Sequence, residues 1–143
     1  MSAPADFPAW LAEHPPPDGA FTNSVAASAD RVRAGGRFEL VVRELLDELA
    51  LLATDGQRSR ALASRPAPTG DARHDAYLAA LAEHVAGVHA LERPAWTCEP
   101  DRFLDRFWFV SEVPGFRALA LVESPAAFRR RGVFISRGSL ERC

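Results

Sequence analysis

The 143-residue chain has 17 basic residues, all of them arginine, against 19 acidic residues, so its formal net charge is −2. This length suits one domain with a real hydrophobic core, and a content of 48% hydrophobic and 25% charged residues excludes a disordered or fibrous chain. The acidic balance excludes a generally basic nucleic-acid binder. The lack of a long apolar run or secretory signal predicts a cytoplasmic protein with no membrane partner.

The first 22 residues are rich in proline, with "PADFPAW" followed by "EHPPPDGAF". Proline removes a backbone donor and interrupts helices, so this stretch is not expected to form a long helix. We predict an N-terminal arm over residues 1–22, held on the domain by Trp10 and Phe21. The remaining residues 23–143 form the predicted helical domain.

Three helices are predicted in the first part of that domain. The first starts at the capping residues around Ser24, has apolar residues at helical spacing and stops at Gly35-Gly36. The second, "RFELVVRELLDELALLA", has one apolar stripe opposite a charged face. The third, "DARHDAYLAALAEHVAGVHALE", ends before Pro94. Between the second and third, a polar stretch ending in "RPAPTG" predicts a loop of about a dozen residues with one helical turn near Leu62.

The periodicity is less clear beyond Pro94. A helix capped by Asp101 and running through Phe107 is favoured, while a short β-hairpin near residues 106–122, turning at Pro114-Gly115, is the alternative. The fold predicted from these elements is mainly α: one compact helical domain with a proline-rich N-terminal arm.

Catalytic and metal-binding motifs are absent from the sequence. His84 and His89 lie about 140° apart around a helix, so they cannot hold one metal ion together. Neither a nucleophile elbow nor a phosphate-binding or dinucleotide-binding glycine motif occurs. Cys98 has no neighbouring ligand at metal-binding spacing and is interpreted as a structural cysteine. The sequence therefore predicts no metal, no cofactor and no identifiable catalytic residue.

The aromatic run "RFLDRFWFV" is the most unusual feature of the chain, because it places Phe103, Phe107, Trp108 and Phe109 within seven residues. Three consecutive large rings cannot share one helix face, and in a strand the middle ring points away from its neighbours. At least one ring must therefore face outward or be covered by another element. The functional interpretation is an anchor for a partner protein.

A triplet of arginines follows Phe128 and comprises Arg129, Arg130 and Arg131. Ser124-Pro125 predicts a helix start and Gly132 a left-handed stop, so the triplet falls in the last helical turn, where cations are favourable. At most one of the three can fold onto the core. We therefore include the triplet and Phe128 in a predicted partner-binding set.

Residues 115–143 hold six arginines against two glutamates, a local charge of +4. This charge predicts a protein partner with an acidic or aromatic-accepting surface. A nucleic-acid partner is the alternative, since "AAFRRRGVFISRGSLER" loosely matches a helix-turn-helix, although its second helix would have only about seven residues.

The segment "PDRFLDRFWFVSEVPGFRALALVESPAAFRRRGVFIS" resembles part of small uncharacterised actinobacterial proteins, some of which belong to toxin–antitoxin-like gene pairs or lie beside helix-turn-helix regulators. The resemblance covers about residues 94–142 and brings no catalytic residues with it. It implies a protein that works by holding another protein. The resulting hypothesis is a non-enzymatic interaction module of the antitoxin or regulatory-partner kind. The alternatives are a nucleic-acid-binding module using the basic C-terminal segment and a small enzyme whose site is dispersed in the sequence.

Overall fold

The computed structural model describes residues 23–141, so the predicted arm of residues 1–22, with Trp10 and Phe21, lies outside the described residues. The described part confirms a mainly α fold, to which two very short strands are added. The helices are α1 (Val25–Arg33), α2 (Phe38–Leu51), α3 (Asp55–Ala63), α4 (Ala72–Val88), α5 (Arg117–Glu123) and α6 (Ala126–Arg129). The strands are β1 (Trp108–Phe109) and β2 (Val133–Phe134), and 3-10 turns span Ala95–Cys98, Pro100–Arg102, Pro114–Phe116 and Arg137–Leu140.

The first two helices form where the sequence predicts them. The Ser24 hydroxyl accepts a hydrogen bond from the Ala27 amide at 3.0 Å and so caps α1. Gly35 follows α1 with a φ of 108°, a conformation that favours glycine. The apolar stripe of α2, from Phe38 to Leu49, is buried, and it contributes one side of the core.

Helix α3 corrects the predicted loop between the second and third helices of the sequence analysis. Thr54 and Gln57 form a capping box: the Thr54 hydroxyl accepts from the Gln57 amide, and the Gln57 side chain accepts from the Thr54 amide. Within this helix, Ala61 and Leu62 are the buried residues. The polar composition of the segment favoured a loop in the sequence analysis, because only these two side chains of α3 are buried in the core.

Helix α4 runs through the centre of the molecule. A continuous stretch of it, residues 76–82, is buried, and it includes four alanines. Small side chains allow neighbouring elements to approach this helix closely on several sides. The core cluster accordingly joins α4 to α1, α2, α3, α6 and β2.

The region after Pro94 differs from both predictions made for it. Instead of a helix from Asp101 through Phe107, a single 3-10 turn spans Pro100–Arg102 and the chain then becomes extended. Instead of a hairpin, β1 pairs in parallel with β2, with Trp108 opposite Val133 and Phe109 opposite Phe134. The partner strand was thus about 25 residues away, beyond the reach of any local turn signal.

The chain between the two strands forms α5 and α6. Helix α6 begins directly after Ser124-Pro125, as predicted, but no side chain caps it. The Ser124 hydroxyl instead donates to the Ala120 carbonyl at 2.6 Å and hydrogen-bonds both backbone groups of Ile135 at 2.8 and 3.0 Å. Gly132 has a φ of 78° and ends the helical turns, as its position predicts. In this described part of the chain, no helix is both long and apolar enough to cross a lipid bilayer.

Candidate partner-binding surface

Large apolar side chains are exposed along the segment that leads from β1 through α5. Their exposed fractions range from 41% to 77%. Several large apolar side chains exposed in one region indicate an interaction site, unlike single exposed ones. We name this patch the α5 surface, and it comprises Phe107, Val113, Phe116, Leu119, Leu121 and Val122.

Helix α5 is exposed because it is held by few groups. Of its seven residues, all of which the structure describes, only Ala120 is buried. Its C-terminal end is fixed by the Ser124 hydroxyl to Ile135 next to β2. The sequence "RALALV" contains no charged residue after Arg117, so every outward turn of the helix presents an aliphatic side chain to solvent.

Aromatic side chains connect α5 to β1. The buried Phe134 ring contacts Phe107 and Phe109, each at a centroid separation of 5.1 Å. Phe109 and Phe116 in turn line a shared cavity of about 110 Å³. The exposed Phe107 ring and the helix are therefore parts of one apolar region whose floor is Phe134.

Arginines flank this region. The Arg117 guanidinium lies 5.5 Å from the centroid of the Phe109 ring, a cation–π distance. Arg129 donates to the carbonyls of Val122 and Ser124 at 3.2 Å, at the C-terminal end of α5, where a cation complements the helix dipole. The Glu123 carboxylate, at the end of α5, accepts a hydrogen bond from the backbone amide of Arg137 at 2.9 Å.

The arginine triplet is divided by the fold. Arg129 is exposed at the end of α5 and borders the α5 surface. Arg130 is exposed and pairs with Glu83 of α4 at 2.9 Å. Arg131 is fully buried, where it pairs with the same carboxylate and donates to the carbonyls of Thr97 and Ala127 at 2.7 and 2.8 Å. The triplet therefore does not form one surface.

Glu83 joins the C-terminal segment to the central helix. Its carboxylate accepts from Arg93, Arg130 and Arg131. Burial by itself would raise the pKa of Glu83, but the hydrogen bonds from Arg131 and Arg93 hold that pKa below its ordinary value. The group is thus a stable carboxylate that neutralises the buried guanidinium of Arg131.

The other members of the predicted set are also distributed. Phe128 is buried against Tyr77 and His84, with ring centroids at 5.1 and 6.2 Å. Phe103 is half-buried, and the guanidinium of Arg131 lies 4.7 Å from its ring centroid. Phe128 and Arg131 therefore contribute to the interior, and Phe103 lies on the Glu83 side of the molecule.

Trp108 is half-buried in a separate aromatic cluster. Its ring centroid lies 6.3 Å from that of Phe38 and 6.4 Å from that of Tyr77, and the Arg73 guanidinium lies 5.3 Å from it. His74 stacks on Phe38 at 3.9 Å, and burial lowers the pKa of this imidazole. Of the aromatic run, then, Phe107 belongs to the α5 surface, the half-buried Phe109 packs beside it on Phe134, and Trp108 faces α2 and α4.

The sequence analysis missed the residues that dominate the α5 surface, namely Phe116, Leu119, Leu121 and Val122. The available signal was the run "FRALALV", which is apolar around all sides of a helix with no polar face to turn to solvent. Such a helix must be either buried or covered by something else. In this fold it lies at the edge and is exposed.

Comparisons with protein-family models, with curated proteins and with solved structures give no match to this chain. Among residues 23–141, no three histidine, cysteine or acidic side chains lie close enough together to hold a metal ion. His84 contacts Phe128, whereas His89 caps the C-terminal end of α4. The α5 surface is therefore the candidate functional site in this part of the chain.

Proposed function

We propose that the protein is a non-enzymatic protein–protein interaction module of the antitoxin or regulatory-partner kind, and that its α5 surface binds the partner. The antitoxin character rests on the resemblance of the C-terminal third alone. The observation that supports an interaction role is the exposure of Leu119, Leu121 and Val122 on a helix that buries only Ala120 among its described residues.

The exposed fractions of these three side chains are large enough to matter for binding. Complete burial of a Leu or Val side chain contributes roughly 1.5–3 kcal/mol, and their exposed parts amount to between one and two whole side chains. Covering them would add about 2–5 kcal/mol to association. Phe107, which is 73% exposed, extends the same contact area.

The partner surface that fits best is an apolar groove with an acidic rim. Arg117 and Arg129 flank the α5 surface. Of the remaining arginines of segment 115–143, Arg130 and Arg131 are already paired with Glu83. Acidic groups in the partner would meet Arg117 and Arg129, increase the association rate and fix the orientation. A second copy of the chain is a less suitable partner, because its Arg117 and Arg129 would face the same arginines of the first copy and repel them.

A direct test uses the immobilised protein to capture partners from a lysate of the source organism, followed by binding measurements with the purified candidate. The double variant Leu119→Ser/Val122→Ser should weaken that binding at least tenfold. The matched control is Leu51→Ser, because Leu51 is equally apolar and 82% exposed but lies at the end of α2. Both variants should keep the wild-type melting temperature, since neither fills or empties the core.

Two results would contradict the proposal. Equal binding by the double variant and the Leu51→Ser control would show that the partner uses another surface. Duplex DNA binding at micromolar affinity in about 0.15 M salt, with a salt slope that flattens in an Arg129→Gln/Arg130→Gln variant, would favour the nucleic-acid alternative instead. Concentration-dependent dimerisation that the double variant abolishes would identify a second copy as the occupant.

A further inference from the structure

A groove of about 360 Å³ lies on a different part of the molecule, between α2, α4, β1 and the last 3-10 turn. Its volume falls at the lower end of small-molecule sites, which span about 300–1,000 Å³. Aromatic, charged and hydroxyl side chains line this groove, among them Phe38, Glu39, Arg43, Tyr77, Trp108 and Ser139.

Three aromatic rings form the inner wall of the groove. The centroids of Phe38, Tyr77 and Trp108 lie 5.2, 6.3 and 6.4 Å from one another, so each ring contacts the other two. Two of these rings are held in place by polar neighbours: His74 stacks on Phe38, and Arg73 lies beside the Trp108 ring. Phe38 and Tyr77 are only 7% and 3% exposed, so they support the half-buried Trp108 ring, which offers most of the aromatic surface that a flat apolar group could contact.

Two opposite charges stand at the rim of this wall. Glu39 and Arg43 are exposed, both line the groove and they are four residues apart on α2. Such a spacing allows a Glu–Arg pair on a helix, yet neither side chain forms an ion pair or hydrogen bond with any of residues 23–141. The rim thus offers one carboxylate and one guanidinium that have no ion-pair partner among the described residues. The Glu39 charge does act on the nearby His74, although burial keeps the pKa of that imidazole below its ordinary value.

We propose that this groove binds a small aromatic zwitterion of the free aromatic amino acid type. The ring would lie against the aromatic wall, the ammonium group would pair with Glu39, and the carboxylate would pair with Arg43. A purely anionic aromatic ligand would meet the Glu39 charge, and a purely cationic one would meet Arg43. A zwitterion pairs with both Glu39 and Arg43, so it should bind more tightly than the purely anionic or the purely cationic ligand.

The expected affinity is weak, with a dissociation constant of about 1 mM, because the ligand is small and both charged contacts are exposed to solvent. Chemical-shift changes in the nuclear magnetic resonance spectrum of the ¹⁵N-labelled full chain measure binding in this range. The probes are L-phenylalanine, 3-phenylpropionate, which lacks the ammonium group, and 2-phenylethylamine, which lacks the carboxylate. L-phenylalanine should bind most tightly and should shift the Trp108 indole and the Ser139 amide signals.

Charge-removing variants assign each contact separately. Arg43→Gln should weaken L-phenylalanine and 3-phenylpropionate roughly two- to fivefold without weakening 2-phenylethylamine. Glu39→Gln should weaken L-phenylalanine and 2-phenylethylamine without weakening 3-phenylpropionate. The matched control is Arg33→Gln on α1, which pairs with Asp30 and does not line the groove. Arg43→Gln should melt like the wild type, because Arg43 forms no ion pair with the described residues. Glu39→Gln should melt slightly lower, because it removes the acidic residue from the first turn of α2.

The proposal is overturned if none of the three compounds gives saturable shifts at about 10 mM, or if the shifts lie away from the groove. It is also overturned if all three compounds bind equally in every variant, since the site would then recognise only an apolar ring. Loss of L-phenylalanine binding in the Arg33→Gln control would have the same consequence. None of these results depends on whether the α5 surface binds a partner.

Discussion

Replacement of Glu83 by glutamine is expected to lower the free energy of unfolding by about 3–5 kcal/mol, the usual cost of breaking a buried ion pair by removing one partner. The reason is that Arg131 is fully buried while the Glu83 side chain is only 13% exposed, so little water can replace the lost charge. The carbonyls of Thr97 and Ala127 would still accept from the guanidinium, but neither carries a compensating charge.

For a chain of this length, such a loss corresponds to a melting temperature roughly 10–20 °C below that of the wild type, which calorimetry or circular dichroism can measure. The matched control is Glu92→Gln, because Glu92 is exposed and makes no hydrogen bond or ion pair with the residues the structure describes. That variant should melt within about 2 °C of the wild type.

The double variant Glu83→Leu/Arg131→Met distinguishes the cost of an unpaired buried charge from the cost of lost packing. Removing both charges eliminates the uncompensated guanidinium, so this protein should be more stable than Glu83→Leu alone, although the carbonyls left without a donor keep it about 1–3 kcal/mol below the wild type. If Glu83→Gln melts like the Glu92→Gln control, or if the double variant is no more stable than Glu83→Leu, the role assigned to this pair is refuted.

Further predictions concern individual residues. Gly132→Ala should destabilise the protein by about 1–2 kcal/mol in urea unfolding, because φ is 78° there while the added Cβ meets no atom closer than 3.5 Å; an unchanged midpoint would contradict this strain. Thr54→Ala should cost about 1 kcal/mol by removing the capping box of α3, and an unchanged free energy of unfolding would contradict this role. Trp108→Ala should cost about 3 kcal/mol, since the ring is half-buried in the aromatic cluster, and a wild-type melt would argue against that packing. Burial lowers the pKa of His84 from 6.5, so the unfolded chain binds the proton first; stability should fall as the pH drops below about 6.5 and level off beneath the folded-state pKa, and a His84→Gln variant should show a shallower decline.

The helices with a full amphipathic pattern were predictable from the sequence. In α1 the Ser24 cap, the apolar spacing and the Gly35 stop agree. Helix α2 has no side-chain cap, but its apolar stripe was sufficient to predict it. Helix α3 has only Ala61 and Leu62 on its buried side, and its composition resembles a loop. The Thr54–Gln57 capping box was the one local signal for it, at the spacing that a threonine and a glutamine require.

The candidate surface was only partly predictable because its definition depends on contacts between distant residues. Arg131 resembles its two exposed neighbours in sequence, and it is buried because Glu83, 48 residues earlier, provides a carboxylate inside the fold. The strand pairing of Trp108 with Val133 has the same non-local character. The local pattern predicted that at least one ring of the run faces outward or is covered by another element; Phe107 is exposed, whereas Trp108 is half-buried against Phe38 and Tyr77.

The parallel pairing of β1 with β2 places a long connecting segment between the two strands, and the sequence of this segment can vary in evolution. A parallel pair requires the chain to leave one end of the ribbon and return to the other, and residues 110–132, including α5, make that crossing. Since the cost of closing a flexible loop grows by only about 0.6 kcal/mol for each doubling of its length, this crossing is open to insertion and exchange. Phe128 and Arg131, at the end of the crossing, belong to the core, so the core would be retained only if the replacement were confined to residues 110–123. Related chains could acquire different partners through this one exchangeable segment.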